Sequence, residues 1–116
     1  MVYELPYPPS INHYWRRVGD RTLISRTGRL FRKRVVDQLA YQGVEATDGR
    51  VGLFISVFPP DRRRRDLDNI LKALLDALQH GGVYQDDSQI DSIEIVRSDA
   101  EPPDGKVLVM VMERNA

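Results

Sequence analysis

The stretch that organises this chain runs Asp66-Leu-Asp-Asn-Ile-Leu-Lys-Ala-Leu-Leu-Asp-Ala-Leu-Gln-His-Gly-Gly82. Leu67, Ile70, Leu71, Leu74, Leu75 and Leu78 fall at i, i+3, i+4, i+7, i+8 and i+11, the period of one apolar face of a helix. Asp66 stands where an N-cap belongs, and Gly81-Gly82 supplies a stop. Immediately upstream, Val51 to Phe58 is a nearly continuous β-prone run closed by Pro59-Pro60, which reads as a buried strand.

Working outward, Phe31, Val35 and Leu39 recur at i+4 and predict another helix over about residues 28–42, with Thr27 as its cap. Residues 10–28 before it read as a loop containing a short strand at Thr22–Ser25. At the N-terminus, Tyr3 and Leu5 alternate with Val2 and Glu4 as a short strand. Pro6, Pro8 and Pro9 end it, because proline has no N–H for a ladder. Downstream, strands are expected at about 90–97 and about 106–112, joined through a Pro-Pro-Asp-Gly turn. The order β-α-β-α-β-β predicts an α+β fold over 1–116, a single small domain with two helices packed on a mixed β-sheet.

The formal net charge is zero, but the charges are segregated. Arg16 to Arg34 holds eight basic residues against one acid, and Arg62 to Arg65 adds four more. From Asp76 to the end the balance reverses to nine acids against three bases. A polyanion responds to local potential rather than to net charge, so this pattern permits nucleic-acid binding. The candidate DNA contacts are Arg16, Arg17, Arg29, Arg32, Lys33, Arg62, Arg63, Arg64 and Arg65. Solvated surface is the competing reading for either run alone. No cysteine is present, which excludes disulfides and thiolate metal sites. No apolar run approaches a membrane span, and the N-terminus lacks the pattern of a signal peptide. The expectation is a cytoplasmic protein.

Acids gather around the Leu67–Leu78 helix: Asp66 and Asp68 at its start, Asp86 and Asp87 beyond its end. Without cysteine or a histidine pattern, converging carboxylates would favour Mg²⁺, with Mn²⁺ as a possible substitute. Such an ion can generate hydroxide and polarise a phosphodiester. Each acid also has a structural reading: a helix cap for Asp66, a polar turn for Asp86-Asp87. Lys72, one turn from both Asp68 and Asp76, is either a surface ion-pair partner or a cation beside an attacked phosphate. Asn69 either touches phosphate or is a plain helix-surface amide. Tyr14 and Trp15, beside Arg16-Arg17, either stack on unpaired bases or pack in the core. Spacing leaves each of these open.

The segment Asp61-Arg-Arg-Arg-Arg-Asp-Leu-Asp-Asn-Ile-Leu-Lys72, continuing through Asp76-Ala-Leu78 to Asp86-Asp87-Ser-Gln-Ile90, resembles the signature of the RusA family of Holliday junction resolvases. Pro6-Tyr-Pro-Pro-Ser-Ile-Asn12 followed by Tyr14 is similar to that family's opening. The resemblance implies that Asp66, Asp68 and Asp87 are catalytic metal-site residues and that Lys72 is an essential catalytic lysine. It implies Mg²⁺ dependence, a homodimer, and paired symmetric nicking of four-way junctions. Branched DNA is then the partner, with no membrane and no small-molecule cofactor. Two rivals remain at this point: a junction-binding architectural protein whose acids are structural, and a nuclease of the same chemistry preferring flaps or forks.

Overall fold

The computed structural model describes residues 1–114. Its elements run β1 (Val2–Pro6), α1 (Ile11–Tyr14), β2 (Trp15–Val18), β3 (Arg21–Ile24), α2 (Arg26–Tyr41), β4 (Arg50–Phe58), α3 (Leu71–His80), β5 (Ile90–Arg97) and β6 (Lys106–Arg114). Short 3-10 turns at Leu67–Ile70 and Asp87–Gln89 precede α3 and β5. Four strands form a mixed sheet in the order β1-β6-β4-β5. β4 pairs parallel with β5 and antiparallel with β6, which pairs antiparallel with β1. The α+β reading and the β-α-β-α-β-β order therefore hold, with the helix α1 and the β2–β3 hairpin as additions.

Period two along β4 sets the layers. Val51, Leu53, Ile55 and Val57 are buried, and they align with buried Val107 and Val109 on β6. Tyr3 and Leu5 of β1 continue this inner face. Against it pack Phe31, Val35 and Leu39 of α2, and Ala73, Leu74, Ala77 and Leu78 of α3. The other face of the sheet carries Val2, Phe54, Met110 and Met112, and no helix among the described residues covers it.

Three local expectations are corrected. Ser25, not Thr27, caps α2: its hydroxyl accepts the Gly28 N–H at 2.9 Å, so the helix begins at Arg26. Gly28 is required there, since a Cβ would lie 2.5 Å from the Tyr14 carbonyl oxygen. Residues 10–24 are not a loop with one strand but α1 followed by the hairpin of β2 and β3. Finally, the Asp66 carboxylate makes no capping hydrogen bond, and the chain enters α3 through a 3-10 turn. There the Asn69 N–H reaches the Asp66 carbonyl at 3.3 Å, an i+3 bond in place of the side-chain cap. The stop at Gly81-Gly82 is as expected, with Gly82 at φ +87.

Candidate active site

The crossover from β4 to β5 decides where the candidate residues go. A parallel pair needs its connection to travel back along the sheet. α3 therefore runs opposite to β4 and β5, from their C-terminal ends towards their N-terminal ends. Asp66 and Asp68 sit where α3 is entered, and the Arg97 guanidinium of β5 donates to the Arg65 carbonyl there. Asp87 sits where α3 is left: its backbone N–H is bound by the Gln79 side-chain oxygen at 3.2 Å.

At the entry end, a cleft of about 850 Å³ lies between the Pro8-Pro9-Ser10 segment, the first turns of α2, and the Arg63–Asp66 segment. Arg34, Arg63, Arg64 and Arg65 line it together with Asp66 and Asn69. Asp61 neutralises part of this charge, bonding Arg65 at 2.5 Å and Arg63 at 3.2 Å. The Arg65 guanidinium, followed by the Arg63 backbone N–H, holds the Asp61 carboxyl well below its ordinary range. Arg65 also lies over the Tyr7 ring, 6.0 Å from its centre, so it is fixed in place. Arg62 and Arg64 are exposed and make no ion pair among the described residues.

Asp66 and Asp68 are exposed, as is Lys72, and none of the three enters a salt bridge among the described residues. Lys72 follows Asp68 by one helical turn and Gln79 continues the same outer face of α3. The surface ion pairs to Asp68 and Asp76, one of the two readings for Lys72, are absent among the described residues. Asp76 turns inward instead, towards α2. Its carboxylate accepts from the Tyr14 hydroxyl and, at 2.7 Å, from Arg32. Tyr14 is fully buried, so the core reading holds for it, with Trp15 packed edge-on against its ring. Arg32 is thereby tied into the fold.

The remaining basic candidates are spread out. Arg29 donates to the Ile24 carbonyl at 3.1 Å, and Lys33 pairs with Asp37 at 2.9 Å. Arg16 and Arg17 project from the exposed β2 strand. Arg34 was absent from the expected contacts, although Thr27, Leu30, Phe31 and Arg34 share a helical face at i, i+3, i+4 and i+7, and all four line the cleft. His13 also lines it, held by Ser10.

Asp86 and Asp87 have different roles. Asp86 caps the 3-10 turn, accepting the Ser88 N–H at 2.9 Å, while the Gln89 side chain returns to its backbone N–H at 3.0 Å. Asp87 is exposed. From Asp68 to Gln79 is eleven residues, at least about 16 Å along a helix axis. Two oxygens on one Mg²⁺ lie within roughly 4 Å, given metal–oxygen distances near 2.1 Å. Among the described residues, no three Asp, Glu, His or Cys side chains come together closely enough to hold an ion. In this structure Asp66, Asp68 and Asp87 do not form such a group.

A family model described as Endodeoxyribonuclease RusA matches residues 6–112. The chain belongs to the RusA family. The RusA relationship extends to a crossover junction endodeoxyribonuclease of Enterobacteria phage HK97, 42% identical over 112 residues, 96% of this chain and 92% of that relative. Enzymes of the same description from Shigella sonnei and Escherichia coli K12 are 39% and 38% identical over 94 residues, covering 80% of this chain and 78% of each relative. The arginine-lined cleft and the α3 entry both lie inside the segment matched by the RusA model.

Proposed function

We propose that this RusA-family chain is an endodeoxyribonuclease that resolves four-way DNA junctions by paired symmetric nicks, acting as a Mg²⁺-dependent homodimer in recombination and repair. Mn²⁺ is the expected substitute, and the cytoplasm, at the nucleoid, is the place of action. No helix among the described residues is long and apolar enough to cross a membrane.

The observation that carries the reading is the uncapped, exposed Asp66 carboxylate in a cleft whose other charges are arginines. Arginines at a concave surface draw the phosphate backbone, and a fork of N–H donors suits phosphate oxygens. A carboxylate amid them repels the same phosphate and makes no capping hydrogen bond here. Asp66 and Asp68 would hold a divalent cation there, which would offset the repulsion and supply Lewis-acid chemistry at the phosphate. Asp66 and Asp68 then belong to the cutting chemistry, Lys72 stabilises charge on the attacked phosphate, and Arg34, Arg63 and Arg64 hold the flanking backbone.

The test is cleavage of linear, forked and four-way DNA at equal salt, with Mg²⁺ and with chelator. Two symmetric nicks in the four-way substrate, dependent on Mg²⁺, are expected. Junction binding without any nick in Mg²⁺ would make this an architectural protein, and equal cutting of forks would remove the junction preference.

A further inference from the structure

Resting on the nuclease reading above, we infer that Asp61 and Arg97 are positioning residues for the cutting reaction. Together they clamp the Arg65-Asp66 backbone and so place the Asp66 carboxylate in the cleft. Asp66 makes no side-chain cap and enters no salt bridge among the described residues, so its own side chain does not fix it. Its placement comes from the backbone on either side. Downstream, the Asn69 N–H reaches the Asp66 carbonyl at 3.3 Å. Upstream, the Arg97 guanidinium donates to the Arg65 carbonyl, which belongs to the same peptide group as the Asp66 nitrogen.

Three strand ends converge on Arg65. β1, β4 and β5 run in one direction, each antiparallel to β6 or parallel to its neighbour, so their C-terminal ends share one end of the sheet. Tyr7 follows β1, and the Arg65 guanidinium lies over its ring at 6.0 Å. Asp61 follows β4, and its carboxylate accepts from the Arg65 guanidinium at 2.5 Å and from the Arg63 backbone N–H at 2.9 Å. Arg97 closes β5 in register with buried Val57, on the helix-bearing side of the sheet. Beyond the strands these ends stay joined: the Ser98 N–H reaches the Val57 carbonyl and the Glu101 N–H the Pro59 carbonyl, both at 2.7 Å. The clamp has a task, because Arg62 to Arg65 are four like charges in succession and repel one another. Asp61 is the one acid that pairs with any of them among the described residues.

Charge alone and a clamp predict opposite results. On charge alone, Asp61→Asn removes an acid from a cationic cleft and leaves cutting at the wild-type rate or above, while Arg97→Met weakens junction binding. With a clamp, both variants bind a four-way junction in chelator at least as tightly as the wild type. Both then cut more slowly at saturating DNA in Mg²⁺, by roughly 10²-fold, the cost of about 1 Å of misplacement at a reacting group. Arg97→Lys keeps a donor for the Arg65 carbonyl and should recover part of that rate. Because the two residues act through one peptide segment, the double variant should cut little more slowly than either single variant. Wild-type rates at saturating DNA, or two losses that multiply in the double variant, overturn the inference.

A second readout needs neither metal nor DNA. Trypsin cuts after arginine, and Arg62 to Arg65 offers it four adjacent bonds. Asp61 is partly exposed and Arg97 exposed, so both variants should fold, which a melting curve checks. Limited digestion read by mass spectrometry should find the segment resistant in the wild type and cut markedly faster in Asp61→Asn and Arg97→Met. Equal tryptic rates in folded protein would show that the two residues do not hold the segment, and would overturn the inference. Wild-type protein that nicks no junction overturns the nuclease reading and the positioning role with it. Wild-type cutting with unslowed variants overturns the positioning role alone.

Discussion

Replacing Asp76 by asparagine removes the charge on which Tyr14 and Arg32 converge. The side chains of Arg32 and Asp76 are 26% and 25% exposed, so the pair is neither fully dry nor a surface contact. A hydrogen bond to a charged group contributes about 1.5–3 kcal/mol, and severing a fully buried ion pair costs about 3–5 kcal/mol. Solvent at the rim of this pair lowers the cost, and about 2 kcal/mol is expected. Arg32 cannot turn elsewhere without moving, and its Nε is already buried without a partner. For a domain of this size the melting temperature should fall by roughly 8 °C, leaving a folded protein.

The effect should also depend on pH. Burial pushes the Asp76 carboxyl up, but the Tyr14 hydroxyl and the Arg32 guanidinium outweigh it and hold the group below its ordinary range. Stability from this source is therefore complete above the ordinary aspartate pKa near ~4 and is lost as pH falls through the lowered folded-state value. Tyr14, pushed up to about 12 mainly by burial and by the Asp76 carboxylate, remains a donor throughout. Urea unfolding followed by circular dichroism from pH 7 to pH 3 should show a gap between wild type and variant that narrows as the pH falls below the ordinary aspartate range. Equal midpoints at pH 7 would refute the reasoning and free Arg32 to serve as a phosphate contact.

Two further outcomes concern DNA. Binding of a four-way junction in chelator should be steeply salt-dependent, each neutralised phosphate contributing roughly −0.9 to the slope of log K against log salt. Arg63→Ala/Arg64→Ala should flatten that slope, and an unchanged slope measured by mobility shift would place the cleft away from DNA. Lys72→Ala should melt at the wild-type temperature, because Lys72 makes no ion pair among the described residues. Its cutting rate should drop by roughly 10²–10³-fold, as when a donor to a developing oxyanion is removed; wild-type turnover would remove it from the site.

The parts of this fold legible in the sequence are those in which one residue pattern decides one burial pattern. Leucines from Leu67 to Leu78 have only one periodic arrangement that buries them together, and Val51 to Phe58 only one extended one. The strand at Thr22–Ser25 was legible as β3, but its partner β2 was not, because Arg16 and Arg17 occupy half of a four-residue strand and leave no alternation to read. The cap at Ser25 was obscured by Thr27, an equally good cap residue two positions on. Family resemblance marked Asp66, Asp68 and Asp87 as a group, but no local rule says whether a chain leaving a helix returns to its start. That depends on β5 lying parallel to β4, a pairing between distant segments. Arg34 was overlooked because a basic run conceals the one arginine that shares a face with Thr27 and Phe31. The ion pair of Arg32, a candidate DNA contact in the sequence, could not be read there because its partner, Asp76, lies 44 residues away.

Asp68→Asn, assayed on one synthetic four-way junction, tests the account most directly. Asparagine keeps the size and one oxygen while removing the charge that a hard divalent cation requires. The position is exposed and its side chain is in no salt bridge among the described residues, so folding should be unaffected. The account predicts wild-type or tighter junction binding in chelator, since one carboxylate fewer repels the phosphate backbone, together with near-complete loss of nicking in Mg²⁺. Folded Asp68→Asn protein that cuts at the wild-type rate would contradict it.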